Sequence, residues 1–306
     1  MSAKPYKATE LLTCYLRGSM TGQKENRDVI TISAFADEID PSLQVQMDVC
    51  EEHGIKCIDV RAIDGVNVSK MTLSQAAAYK KQMNDRGFSV PCIGSPLGKI
   101  AMDDDLNAHL ELLKHCCDLA GAFGTNLIRV FSFYPSKGSK IEDQRAGVMD
   151  RLLAMVKIAE KANCTLLHEN ESAIYGRTAE GVLDIFATIR SKALRGIFDP
   201  GNFVAEYLRP YDDCWSNGLR QLTDYFHIKD KKFGAQTCVP AGQGDGQFDA
   251  IFADLKAGNW SGYMTLEPHL AAAGQFQGFT GPKLFARAVG GLKTMLNTHG
   301  IDYRKV

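Results

Sequence analysis

Four side chains able to bind a divalent cation stand at matching places in the chain: Glu169, Asp199, His227 and Glu267. Each ends or nearly ends a short apolar run. Cys164–Leu167 leads into His168 and Glu169, Gly196–Phe198 leads into Asp199, YFHIKD carries His227, and GYMTLEPH carries Glu267. Successive members lie 30, 28 and 40 positions apart, each about one strand–helix unit. Three carboxylates and one imidazole make an oxygen-rich set with a single nitrogen. Such a set suits Mn²⁺ best, with Mg²⁺, Co²⁺ or Zn²⁺ compatible, and differs from a sulfur-rich structural zinc site. Any one of these residues alone would be an ordinary strand-end cap. Four in register on consecutive strands make a site.

The elements that must position them follow a regular alternation. Val29–Phe35, Lys56–Arg61, Phe88–Ile93 and Asn126–Phe131 read as the first four strands, and the runs ending in the four ligands as the next four. Apolar residues at helical spacing lie between them. Leu43, Met47 and Cys50 follow Asp40-Pro41, an N-cap with proline at the first helical position. Thr72-Leu73-Ser74-Gln75 is a capping box. Further stripes are Leu106, Leu110, Leu113 and Cys117; Val148, Leu152, Val156 and Ala159; Val182, Ile185, Phe186 and Ile189; and Phe285, Val289, Leu292 and Leu296. Eight strands alternating with eight helical stretches predict an α/β chain folded as a (β/α)8 TIM barrel, a single domain over residues 29–300. Residues 1–28 are an N-terminal extension and 301–306 a C-terminal tail. The competing doubly wound sheet would call for a glycine-rich first turn, and none is present. In a barrel, strand-end carboxylates gather at the C-terminal mouth.

Composition narrows the function classes. The 306 residues are 45% hydrophobic and 23% charged, as in an ordinary soluble globule. With 35 basic and 36 acidic residues the net charge is −1, so the field that would draw nucleic acid or an anionic membrane is missing. The nine cysteines include no C-x-x-C pair and no disulfide framework, which predicts reduced thiols and a cytoplasmic protein. No stretch reads as a signal peptide or membrane span.

Several motifs, taken together, are similar to one family. HENES with IYGRT, FDPGNF, YFHIKD, PAGQGDG and LEPHL, with SAFADEID and GSPLGK nearer the N-terminus, resemble the xylose isomerase-like barrel superfamily of sugar phosphate isomerases and epimerases. The similarity spans residues 30–300. It implies metal ligation by Glu169, Asp199, His227 and Glu267, and proton exchange with a substrate carbon by Glu169 and Glu267. One position departs from the pattern: many ketose epimerases and the related DNA-repair endonucleases carry a histidine three residues after the aspartate, where this chain has Asn202. The endonuclease branch also needs further histidines. This chain has seven, with His53, His109, His115 and His299 in or beside helical stretches.

Other residues extend the candidate site. Strand alternation puts Lys229 on the side of His227, within reach of a substrate oxygen. Arg61 ends the second strand, Lys99 lies in the loop after the third, and Glu171, Asn202 and His269 follow three of the ligands; all are candidate substrate contacts. His168 reads as a packed histidine. The run Gly242-Gln243-Gly244-Asp245-Gly246 sits where barrels often bind phosphate, but it lacks P-loop spacing and reads first as a glycine turn. The function expected is that of a metal-dependent isomerase or epimerase moving a proton through an enediolate of a small sugar. The alternative is a lyase or dehydratase on a keto-sugar, keto-glycoside or keto-inositol. A nuclease would need a basic groove and a non-catalytic subunit would be expected to lack a ligand, so both are remote. A homo-oligomer is compatible with the sequence, which leaves the oligomeric state open.

Overall fold

The computed structural model describes residues 29–271 and 279–304. The expected extension 1–28 and residues 305 and 306 of the tail lie outside the described residues. Six parallel strands form the regular sheet: β1 (Thr31–Ala34), β2 (Leu127–Val130), β3 (Thr165–Glu169), β4 (Leu194–Phe198), β5 (Thr223–Ile228) and β6 (Tyr263–Leu266). Their order is β1-β6-β5-β4-β3-β2, so the first and last strands pair and the sheet curls.

The two other expected strands, 56–61 and 88–93, are extended segments held by single parallel bridges. Ala34 bridges to Ile58, Cys57 to Ser89, Val60 to Ile93, and Ile93 to Ile128. The Ile58 N–H donates to the Ser89 carbonyl and the Val60 N–H to the Cys92 carbonyl, so two residues of one segment face three of the other. The extra residue makes a bulge beside Pro91, which has no N–H to donate. The regular ladder therefore has six strands where eight were expected.

Eight α-helices are described: α1 (Leu43–Glu52), α2 (Leu73–Asp85), α3 (Leu106–Phe123), α4 (Arg145–Lys161), α5 (Ala179–Thr188), α6 (Pro200–Ala205), α7 (Phe248–Ala257) and α8 (Gly281–Thr298). Their expected stripes are buried in one large cluster, among them Leu113, Cys117, Val148, Leu152, Val156, Phe285, Val289 and Leu292. The capping box of α2 is reciprocal: Gln75 N–H donates to Thr72 Oγ1, and Thr72 N–H to Gln75 Oε1. The start of α1 differs from expectation. Ser42 takes the N-cap position, because the Asp40 carboxylate accepts the Ser42 N–H at 2.8 Å and turns the chain before the helix begins. Among the described residues eight cysteines are free, and no helix is long and apolar enough to cross a membrane.

Alternation along the strands stacks two layers of buried side chains on one face of the sheet. The lower layer contains Cys92, Leu167, Ile197 and Tyr225, a cluster separate from the main core. Asp59 is buried with it and accepts from Ser33 Oγ (2.7 Å), Tyr225 OH (2.8 Å) and Thr265 Oγ1 (2.9 Å). Burial pushes the Asp59 carboxyl up, and these hydroxyls pull it back. Two residues further along the same strands come Phe35, Arg61, Glu169, Asp199, His227 and Glu267. Within the lower layer the Asp59 network thus makes a polar floor tying β1, β5 and β6 to the 57–60 segment. Tyr225→Phe removes a donor to the buried Asp59 carboxyl and should cost about 1–3 kcal/mol. Urea unfolding of metal-free protein measures it, and a midpoint equal to wild type would show that the floor does not depend on this bond.

Candidate metal centre

Glu169, at the last position of β3, and Asp199, just past β4, leave neighbouring strands side by side. Asn170 locks the two exits together: its Nδ2 donates to the Asp199 carbonyl and its Oδ1 accepts the Asp199 N–H, both at 2.9 Å. Asp199 then caps α6, with Pro200 preset for the first turn. Its Oδ1 accepts the Asn202 N–H at 3.0 Å, while Oδ2 accepts no hydrogen bond and faces Lys229 Nζ at 2.9 Å. The motif FDPGNF therefore spends one carboxylate oxygen on the helix and leaves the other for the site.

His227 on β5 turns inward between two glutamates. Its Nδ1 lies 3.0 Å from Glu169 Oε1 and 3.2 Å from Glu267 Oε2, and neither ring nitrogen has hydrogen-bond geometry to a partner. The Phe35 ring meets the imidazole edge-on at 5.0 Å. One ligand atom from each of Glu169, Asp199, His227 and Glu267 lies within 4.8 Å of all the others, and all four residues are buried. A buried histidine and a buried carboxylate oxygen without hydrogen bonds, beside two more carboxylates, fit a divalent cation: the donor set matches Mn²⁺, Mg²⁺, Co²⁺ or Zn²⁺.

The remaining expected residues fall around this cluster. Lys229 Nζ reaches both Asp199 and, at 3.4 Å, Glu267 Oε2. Arg61 Nη1 donates to Glu267 Oε1 at 3.0 Å, and its Nε to Asp37 Oδ2 at 2.7 Å. Asn202 Nδ2 donates to Glu169 Oε1 (3.3 Å) and the Asn170 carbonyl (2.9 Å), so Asn202 touches one of the four clustered residues. His269, at φ +45°, places Nε2 at 3.4 Å from Glu267 Oε1 and 3.1 Å from Glu38 Oε1. Lys99 and Glu171 pair with each other at 3.0 Å, and Lys99 lies over the Phe131 ring. His168 points to the other side of β3 and packs edge-on to Phe186; burial lowers it to about 4. The glycine run 242–246 wraps the Asp230 carboxylate. His109, His115 and His299 bond to the Gly98 amide, the Met71 carbonyl and Asp249, apart from the cluster.

Three residues at the site escaped the sequence reading. Arg129 Nη1 lies 3.2 Å from Glu169 Oε2 and 3.7 Å from Glu267 Oε1, and its guanidinium also donates to the Ser95 and Gly94 carbonyls. Glu38 Oε2 accepts the His269 N–H and the Thr280 hydroxyl. Asp37 pairs with Arg61. The acid pair directly after β1 in SAFADEID was a usable signal for two of them; Arg129, inside an apolar strand, should have stood out as a charge needing a buried partner.

Charges within the cluster set its protonation. Burial would pull His227 down, but Glu169 and Glu267 outweigh it and lift the imidazole to about 9. Burial would raise Glu169, yet His227 beside it holds that carboxylate at about 2. Glu267 is likewise held well below the usual range, burial being outweighed by Lys229, His227 and His269. Asp199 goes the other way, to about 7: burial and the neighbouring glutamates outweigh Lys229.

Fold and cluster together define a parallel α/β protein with a three-carboxylate, one-histidine centre at the strand ends. Residues 32–293 match the family model described as xylose isomerase-like TIM barrel, and the chain belongs to that family. Among solved structures it is similar to a probable 3-DHS dehydratase, AsbF, from Bacillus anthracis, at 15% identity and TM-score 0.68, covering 87% of this chain and 98% of that one. A D-tagatose 3-epimerase-like protein gives 16% and 0.69 over 89% and 98% of the two chains. An IolI protein solved with a zinc atom gives 16% and 0.63 over 89% and 98%. No curated protein matches the chain in sequence.

A ligand must shed its proton to bind a cation, and the raised values of His227 and Asp199 mean that both hold protons below them. Metal affinity should therefore climb as pH rises through about 7 and on towards about 9. Nearly two protons should be released per ion at about pH 6, and the number should fall towards zero well above 9. Calorimetric titration in buffers of different ionisation enthalpy counts them; release independent of pH would contradict this charge arrangement.

Proposed function

We propose that this chain is a metal-dependent isomerase or epimerase acting on a small sugar or sugar derivative. The observation carrying the reading is the convergence of Glu169, Asp199, His227 and Glu267 within 4.8 Å in a buried place at the strand ends. We take the bridged segments 57–60 and 89–93 as the second and third strands of an eight-stranded ring, one catalytic domain over 29–300. A cytoplasmic location belongs to the same reading, supported by the free thiols. Sugar-processing proteins among the similar structures support the substrate class.

In this reading the four residues hold the ion, Mn²⁺ being the best match to the donors. When bound, the ion supplies Lewis-acid stabilisation of charge developing on the substrate oxygens. Glu169 and Glu267, on separate strands, take and return the proton of the adjacent carbon. Lys229 and His269 hydrogen-bond to substrate oxygens from the β5 and β6 sides, Arg61 and Asn202 hold the two glutamates in place, and Lys99 with Glu171 borders the entrance. Removal and return from opposite faces gives an epimer; a shuttle between carbons gives an aldose–ketose pair.

A second reading, a lyase or dehydratase on a keto-sugar or related keto-polyol, is favoured by one observation. The outer oxygens of both glutamates are engaged, Glu169 Oε2 by Arg129 and Glu267 Oε1 by Arg61. Epimerisation needs both glutamates as proton carriers at carbon, whereas elimination needs only one as acceptor, with Lys229 or His269 able to donate to the leaving hydroxyl.

Asp199→Ala and His227→Ala should lose metal and turnover together while the metal-free fold survives, because the ligands sit above the packed layers. A large loss of thermal stability in both metal-free variants would mark them as structural instead. Glu169→Gln and Glu267→Gln should keep some metal and lose turnover by about 10²–10⁴-fold. The test incubates metal-loaded protein with sugars and keto-sugars in deuterated water, reading product and deuterium at carbon. Solvent deuterium in an epimer or isomer supports the first reading, loss of water the second. Full turnover in either Gln variant would reduce that glutamate to a ligand.

A further inference from the structure

We propose that Asp230 is a positioning residue for the metal centre, and that the glycine loop 242–246 is an anion cage built around its carboxylate. This rests on the metal-centre reading above. Asp230 is buried, and four backbone N–H groups converge on it. Gly242 and Gly244 donate to Oδ2, both at 2.9 Å; Lys231 and Gly246 donate to Oδ1 at 2.8 and 3.0 Å. Convergent amides of this kind form the concavities in which proteins bind anions, and here the chain supplies the anion itself. The glycines are required by closeness. A Cβ on Gly244 would stand 2.3 Å from Asp230 Oδ1, and one on Gly246 2.7 Å from the same atom.

The cage pins both ends of the segment leaving β5. Asp230 and Lys231 pair with Val239 and Cys238 in a short antiparallel ribbon, the Asp245 N–H donates to the Lys231 carbonyl, and Asp245 Oδ2 accepts the Phe233 N–H. The residue before Asp230 is Lys229, whose ammonium touches Asp199 and Glu267. Its stem is clamped from the other side by α6, where a Cβ on Gly201 would come 2.6 Å from Lys229 Cγ. His227 lies two residues earlier on the same strand end. Removing the carboxylate would leave four inward-facing N–H groups without an acceptor, which is costly in a buried place. The loop would open to hydrate them, and Lys229 and His227 would lose the fixed backbone that aims them.

Calorimetric titration with Mn²⁺ alone, on wild type, Asp230→Ala and Asp230→Asn, tests this without reference to substrate. Misplacing the groups around a metal ligand typically costs about 10–100-fold in affinity, and that loss is expected for Asp230→Ala. Formate, which carries the same two oxygens, should enter the emptied cage and restore most of it, while leaving wild type unchanged. Asp230→Asn should bind more weakly than wild type and gain nothing from formate, because the carboxamide fills the cage and turns an N–H₂ towards the donors. Wild-type affinity in Asp230→Ala, or a loss that formate does not repair in a folded variant, overturns the proposal. If Asp230→Ala does not fold with or without formate, Asp230→Asn decides: weakened binding supports the role and wild-type binding overturns it. Wild type that takes no Mn²⁺ removes the metal-centre reading itself, which separates that failure from failure of the cage.

Discussion

Two buried carboxylates, Glu169 and Glu267, are held close together, and the upper half of the sheet is arranged to make that tolerable. Like charges about 4 Å apart repel by about 4 kcal/mol even at the effective dielectric of a protein site. The chain answers from both sides. His227 Nδ1 stands between Glu169 Oε1 and Glu267 Oε2, and Arg129 Nη1 between Glu169 Oε2 and Glu267 Oε1. The two bridges differ in kind. An arginine keeps its charge at any working pH, whereas an imidazole can give up its proton. One side of the pair is thus permanently neutralised, and the other is the side on which Asp199 also converges to complete a cluster able to hold a divalent cation.

Such an array is stable only on a stiff support, since burying charges costs more than their attraction returns unless geometry and remaining hydrogen bonds are nearly complete. Phe35 gives part of that support. Its ring lies 4.8 Å from the Arg61 guanidinium and 4.7 Å from that of Arg129, and its edge contact orients His227. Gly94 makes room for it, because a Cβ there would stand 2.5 Å from the ring. The Asn170–Asp199 lock, the α6 cap and the Asp59 floor hold the strand ends from the side and from below.

The four clustered residues could be read from sequence because each combines two local signals: an apolar run that stops at or near a polar residue, and a spacing of about one strand–helix unit. Lys229 was legible by alternation from His227. Arg129, Glu38 and Asp59 were harder because their meaning lies in partners 40, 231 and 166 positions away. The strand segments before Arg61 and Gly94 were visible as apolar runs, but the bulge that reduces them to single bridges depends on how one segment meets the next. The glycine run was visible as a turn; that it closes on Asp230 follows only once the ribbon after β5 brings the two together.

What distinguishes one reaction from another on such a centre is the state of the oxygens that the cation leaves over. Glu267 Oε1 faces Arg61, Arg129 and His269 at 3.0, 3.7 and 3.4 Å, three positively charged or chargeable groups. Glu169 Oε2 faces Arg129, while its Oε1 is shared with Asn202. The two glutamates are therefore unequal. Glu267 is the more heavily compensated. Glu169 Oε2 faces a single guanidinium, and that guanidinium is also tethered to the Ser95 and Gly94 carbonyls. In the proposed reaction this asymmetry supports Glu169 as the group that takes the proton. Glu267 would then return it, with Lys229 and His269 beside it to balance charge and hold substrate oxygen.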